Sequence, residues 1–243
     1  MPKIDCNIVV YFCYSCSMES KFACYDIDGT LAKSMLFVPL VANEHSDGII
    51  DDASFATIND LLTKYKKGEL AYEDTVQQLL NAHSRSLAGV NVVDLNLHTK
   101  DFIENNEDLF RSFGDKVIKL LRQKSFHQVA VTAEPEYLAK AIVAHFDLDG
   151  SFSTVYEIVD GVYSGEITSS LAGNSSKREI LSHYSIEFAF GDSEGDREML
   201  EMAKYPFCVE PTVELKKVAK ENNWQVYSED ARIVADVKLA LQQ

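Results

Sequence analysis

Positive charge is scarce in this sequence. Against 38 acidic side chains it sets 23 lysines and arginines, for a formal net charge of −15. Nucleic acid and anionic membrane surfaces are held by clustered Lys and Arg, so neither is expected as a partner. Long apolar runs are lacking too. The best candidate, residues 8–14, follows Lys3 and faintly resembles a signal-peptide core. It falls far short of the roughly 20 apolar residues that span a bilayer, and no clean small-x-small cleavage site follows it. A cytoplasmic location is expected.

A disulfide framework is missing as well. The five cysteines include Cys6, Cys13 and Cys16, which do not make the pattern of a small secreted scaffold. Cys13 and Cys16 form a C-x-x-C without the second pair or nearby histidine of a zinc site, and read as incidental thiols. Cys24 belongs to an apolar strand pattern and is expected in the core. Internal repeats and low-complexity tracts are absent. The remainder is an ordinary globular composition, 46% apolar and 25% charged over 243 residues, enough for one large domain or one domain carrying an insertion.

Residues 22–27 form a short apolar run ending in carboxylates, the pattern of a buried strand with chemistry at its carboxyl end. Helical spacing then dominates as far as Ser125. Residues 56–67 make one helix, closed by Gly68; Val76, Leu79, Leu80, His83 and Leu87 make a second, stopped by Gly89; Phe110, Val117, Leu120 and Leu121 suggest a third. Strands and helices alternate from there on. Strands are expected at 127–132, 155–159, 162–167, 188–190, 207–209 and 224–227, with Asp160-Gly161 as a hairpin turn. Pro135 is expected at the first position of a helix, and further helices at 177–184, 194–203, after Pro211 and at 230–241.

This alternation predicts an α/β fold with a largely parallel, Rossmann-like sheet. Residues 18–32 and 126–243 would be its catalytic core, 33–125 an inserted helical cap, and 1–17 an N-terminal extension ahead of Met18. Ligands of such sheets bind beyond the carboxyl ends of the strands. Asp26 and Asp28, Thr132, and Asp192 fall at three such ends although they are far apart in sequence. Clustered carboxylates repel one another unless a hard divalent cation sits among them, and oxygen-only ligation suits magnesium. Such a cation would reverse the local field of an acidic chain, and Lys177 could add a second positive charge.

A calcium loop is the bland reading of D-x-D-G, and it fails on spacing. It would put Cys24 and Met35, or His145 and Tyr156 for the Asp147–Gly150 stretch, where calcium needs oxygen ligands. Asp149-Gly150 reads as a turn after a helix, and Asp147 as structural. His83 and His145 lie on apolar helix faces and are expected to be buried or interfacial rather than ligands.

Asp26-Ile27-Asp28-Gly29-Thr30-Leu31, Thr132, Lys177 and Gly191-Asp192-Ser193-Glu194-Gly195-Asp196 resemble, in order, the four motifs of the haloacid dehalogenase superfamily. The likeness covers nearly the whole chain from Lys21. The insertion resembles that family's C1-type cap, and the stretch from Asp160 to Gly165 resembles its phosphoserine-phosphatase-like branch. The resemblance implies a phosphatase in which Asp26 is the nucleophile and Asp28 the general acid and base. It implies Mg2+ held by the Asp26 carboxylate, the Asp28 carbonyl and Asp192. Lys177 would neutralise charge, Asp196 would orient Lys177 or the metal's waters, and Gly29, Thr132 and Ala133 would bind the phosphoryl group. Dehalogenases of the superfamily lack the second carboxylate, so Asp28 favours phosphorus over carbon.

True phosphoserine phosphatases carry a Glu where this chain has Met35 and an Arg where it has Leu79, which makes phosphoserine a poor fit. Met35, Leu36 and Phe37 suggest an apolar pocket mouth. The expected partner is a small phosphorylated metabolite. A phosphotransferase or phosphomutase, and a non-catalytic metal- or phosphate-binding module, stand as alternatives.

Overall fold

The first apolar run becomes β1 (Lys21–Tyr25), the middle strand of a seven-stranded sheet. The computed structural model describes residues 20–172, 176–228 and 230–242. The N-terminal extension, Met18 and the C-x-x-C lie outside the described residues. Alternate side chains of β1 go to opposite faces. Ala23 and Tyr25 join one apolar cluster, Phe22 and Cys24 the other. A strand covered on both faces must be apolar throughout, which explains its lack of polar alternation.

Parallel neighbours flank β1: β2 (His127–Pro135) and β5 (Ser185–Gly191). Beyond β2 lie β3 (Gly150–Val159) and β4 (Val162–Ser169); beyond β5 lie β6 (Tyr205–Val209) and β7 (Gln225–Tyr227). The order is β4-β3-β2-β1-β5-β6-β7. β3 and β4 pair antiparallel through the expected Asp160-Gly161 turn, whose two residues have φ of 51° and 82°. The other strand pairs are parallel, so the carboxyl ends of β1, β2 and β5 open on one crevice.

One sheet face is covered by α5 (Phe113–Arg122), α6 (Glu136–Phe146) and α10 (Asp230–Ala240), through residues such as Val117, Leu138 and Ile233. The opposite face carries α7 (Ser176–Leu181), α8 (Arg197–Met202) and α9 (Val213–Glu221), through Leu181, Met199 and Leu215. Two boundaries differ from expectation. Pro135 is extended, with ψ 146°, and flanks α6 rather than opening it, because β2 runs on to this residue. The helix expected at 194–203 begins as a tight turn, Glu194–Asp196, wound by reciprocal hydrogen bonds between Ser193 and Asp196.

The helical stretch from 33 to 125 divides by packing. α1 (Phe37–Ser46), α2 (Asp52–Lys66), α3 (Tyr72–Ser86) and α4 (Val92–Asn105) form a block between β1 and β2 in sequence. α5 instead packs on β2, α6 and α10. The chain leaves and re-enters the sheet layer through one narrow stem, where Ala32 bridges Phe110. Lys33 N–H donates to the Leu109 carbonyl and Arg111 N–H to that of Leu31, each at 2.9 Å. Phe110 therefore belongs to the stem, not to α5, and its ring stacks on His145 at 4.7 Å. Among the described residues no helix is long and apolar enough to cross a membrane.

His83 is fully buried where the helical block meets the sheet layer. Its Nε2 lies 2.8 Å from Glu44 Oε2 of α1, and Tyr137 of α6 donates to Glu44 Oε1 at 2.8 Å. Its Nδ1 lies 3.1 Å from the Tyr156 hydroxyl of β3, which itself donates to the Leu80 carbonyl. The imidazole thus bridges α1 and β3, with Glu44 on one ring nitrogen and Tyr156 on the other. Glu44→Ala leaves His83 Nε2 and the Tyr137 hydroxyl buried without their partner, at a cost of about 1–3 kcal/mol for each group. Urea unfolding measures it; a loss below about 1 kcal/mol contradicts the pairing, and Glu44→Leu with His83→Phe should recover most of the stability.

Candidate active site

Asp26 follows β1 directly and is 8% exposed, with its N–H donating to the Phe190 carbonyl of β5 at 2.9 Å. The chain then turns tightly over Ile27–Leu31, closed by Ala32 N–H on the Ile27 carbonyl at 2.8 Å. Gly29 has φ of 80° at the centre of this turn. A side chain there would collide with the Asp192 carboxylate, so only glycine lets the loops after β1 and β5 come together. Gly191 serves the same end, since an added Cβ would strike Asp196.

Lys177, at the start of α7, reaches across to this point. Its Nζ donates to Asp26 Oδ1 at 3.0 Å and to Asp196 Oδ1 at 2.5 Å, with the residue only 6% exposed. The other Asp196 oxygen accepts from Asp192 N–H, Ser193 N–H and the Ser193 hydroxyl at 3.0 to 3.3 Å. Both oxygens of Asp196 are thus engaged within the protein. Carboxylate oxygens of Asp26, Asp192 and Asp196 lie within 4.8 Å of one another. This hard, oxygen-only donor set fits a divalent cation, with Asp26 and Asp192 the carboxylates left to hold it.

Thr132, on β2, faces the same cavity and accepts from Glu134 N–H at 3.1 Å through Oγ1. Ala133 lines the cavity beside it, and the volume is about 60 Å³. Asp28 lines this cavity too and also reaches the helical block: Oδ1 accepts from Leu36 N–H at 2.8 Å, and the side chain is hydrogen-bonded to Glu134. Glu134 in turn accepts from Phe37 N–H at 3.2 Å. The first amides of α1 thereby point at two carboxylates, where the helix dipole favours negative charge.

Of the residues the sequence selected, Asp26, Asp28, Thr132, Ala133 and Lys177 line this cavity, while Gly29, Asp192 and Asp196 stand beside it, packed against one another and against Asp26 or Lys177. Leu36 does not line it; the side chain is 1% exposed in the core and only its amide serves the site. Sequence reasoning missed Glu134. The available signal was its place two residues beyond Thr132 on one strand, which returns a side chain to the same face.

Electrostatics follow from crowding. Burial first, then Asp196, pushes the Asp26 carboxyl well above the usual range, with Lys177 pulling the other way. Burial and the neighbouring Glu134 push Asp28 up as well. Asp192 is raised to about 9, by burial and then by Asp196, Asp26 and Asp28. Glu134 is raised to about 7 by burial, against the hydrogen bonds from Asp28 and Phe37. Burial alone would lower the Lys177 ammonium, but Asp196 and Asp26 overcome it and hold the proton more tightly than in water.

The chain belongs to the haloacid dehalogenase-like hydrolase family, whose model matches residues 23–201. A phosphoserine phosphatase of Mycobacterium tuberculosis is 27% identical over 104 residues, 40% of this chain and 34% of that protein. The match thus spans about a third of the length of such curated relatives. A solved protein of unknown function from Bordetella pertussis superposes with a TM-score of 0.70 at 21% identity, covering 86% of this chain and 98% of that one. A phosphoserine phosphatase solved with a phospho-aspartyl intermediate analogue gives 0.61 at 16%, covering 89% and 98%. At these identities the structural likeness establishes the fold.

Two outcomes are expected. With no divalent cation present, Asp192 binds its proton more tightly folded than unfolded. Its contribution is therefore complete below its ordinary value of 3.8 and is lost as pH rises through about 9. Unfolding of chelated protein across that range should show stability falling with pH, and Asp192→Asn should flatten the slope. Gly29→Ala should cost more than about 1 kcal/mol through the strained φ and the displaced Asp192, read from its urea midpoint.

Proposed function

We propose that this chain is a magnesium-dependent phosphomonoesterase that hydrolyses a small phosphorylated metabolite through an aspartyl-phosphate on Asp26. The observation that carries the reading is the Lys177 ammonium bonded at once to Asp26 and Asp196 at the mouth of the crevice. It steers and partly neutralises Asp26, so a carboxylate can approach an anionic ester. Asp26, Asp192 and the Asp28 carbonyl would hold the cation. When bound, it supplies positive charge at the phosphoryl oxygens that the acidic chain otherwise lacks.

In the first step an Asp26 oxygen bonds to phosphorus as the bond to the alcohol oxygen breaks. Asp28, whose raised proton affinity suits a general acid, gives its proton to the departing oxygen. Water then attacks the phosphorus, Asp28 takes the water's proton, and Asp26 is released as a carboxylate with free phosphate. Thr132 Oγ1 accepts from Glu134 N–H, which leaves its own hydrogen for a phosphoryl oxygen. The small cavity, with Ala133 and Gly29 at its wall and turn, suits a phosphoryl group and a small alcohol. α1–α4 act as the cap: Tyr72, Glu73 and Val76 of α3 complete the cavity wall opposite the strand ends.

Purified protein should hydrolyse p-nitrophenyl phosphate with magnesium and lose that activity to a chelator. Asp26→Asn should lower kcat at least about 10³-fold. Unchanged activity in that variant removes the nucleophile assignment. Release of phosphorylated acceptor in place of phosphate, when alcohols are added, would make the enzyme a phosphotransferase. Inactivity of the wild-type protein on a broad panel of phosphate esters would leave only a binding role.

A further inference from the structure

A second small cavity, about 40 Å³, opens from the first and shares Asp28, Tyr72, Val76 and Ala133 with it. On the phosphomonoesterase reading it is where the alcohol portion of the ester lies, since Asp28 sits between the two. Its wall is apolar, from Met35, Phe37, Tyr72, Leu79 and Leu80, apart from two carboxylates, Asp28 and Glu134. Among the described residues no lysine or arginine lines it. Met35 and Leu79, both uncharged, face this cavity. A carboxylate on the alcohol would therefore meet carboxylates and apolar surface with no cation to balance it.

Glu134 is 4% exposed, accepts one backbone N–H and shares a hydrogen bond with Asp28. The Asp28–Glu134 pair is the acidic feature at the base of an otherwise apolar chamber. At its rim stands Tyr72, 42% exposed, and its ring can face a cation. We propose that the substrate is the phosphate monoester of a small amino alcohol with no carboxylate, its ammonium group held by Glu134 and flanked by Tyr72. A charge-assisted hydrogen bond to a desolvated carboxylate is a strong discriminator, because a substrate without the donor leaves that carboxylate poorly paired.

The test compares isosteric esters. 2-Aminoethyl phosphate and n-propyl phosphate differ by an ammonium in place of a methyl group, and phosphoserine adds a carboxylate to the first. For wild-type protein with magnesium, kcat/KM should favour 2-aminoethyl phosphate over propyl phosphate by at least about tenfold, and over phosphoserine by more. In Glu134→Gln, which keeps the shape and the acceptor for Phe37, the first ratio should fall to about one, mostly through KM. The ratio within each protein is the readout, so a general loss of activity in the variant does not enter it. The inference is overturned if wild-type protein takes propyl phosphate or phosphoserine as well as the amino ester, or if the ratio survives in Glu134→Gln. Either result with p-nitrophenyl phosphate still hydrolysed leaves the phosphomonoesterase reading standing. Failure to hydrolyse any ester overturns both.

Discussion

Asp26, Asp28, Asp192 and Asp196 converge on one crevice of a chain that already carries a net charge of −15, and Lys177 is the cation in the crevice wall. Burial first, and then like charges close by, push the proton affinities of Asp26, Asp28 and Asp192 upward. Lys177 offsets part of that rise by bonding two of the four directly. A divalent cation would offset the rest. Much of the surrounding structure serves to keep these groups together despite their repulsion: the sheet brings three strand ends to one edge, and buried amides hold the carboxylates in place.

That arrangement depends on backbone approach as much as on charge. Gly29 and Gly191 stand where any side chain would push Asp192 or Asp196 away. Asp196 is fixed by three donors from its own turn, so the lysine it holds is fixed as well. A site built this way is rigid where it meets the phosphoryl group. Pre-organised charge of this kind stabilises a transition state without reorganising during the reaction.

The helical block is tied to this rigid part at three places. The stem at Ala32 and Phe110 sets its hinge line, and the Glu44–His83 pair locks α1 and α3 to α6 and β3. The first amides of α1 bond Asp28 and Glu134 directly. Movement of α1 would therefore be felt at the group proposed as the general acid. The same contact sets Asp28 and Glu134 in the wall of the chamber proposed for the alcohol portion, so that on that proposal selection of substrate and delivery of the proton meet at one pair of side chains.

The sheet, its parallel order and the gathering of carboxylates, Thr132 and Lys177 near its strand ends were legible in the sequence because each depends on local chemistry. Buried strands must be apolar, turns with positive φ favour Gly and Asp, and carboxylates at strand ends face a shared edge. What lay beyond reach involved partners distant in sequence. Phe110 has helical spacing with α5 but pairs with Ala32; Pro135 looks like a helix opener but prolongs β2. His83 was recognisable as buried, yet its hydrogen-bond partners are Glu44 and Tyr156, which the chain places 39 and 73 residues away. The sequence alone determined the kind of chemistry, since side-chain type and strand-end position suffice for that. Only the tertiary structure decided that Asp28 leans on Glu134 beneath an apolar chamber, because that contact is made by packing the turn after β1 against β2 and by no local preference of either segment.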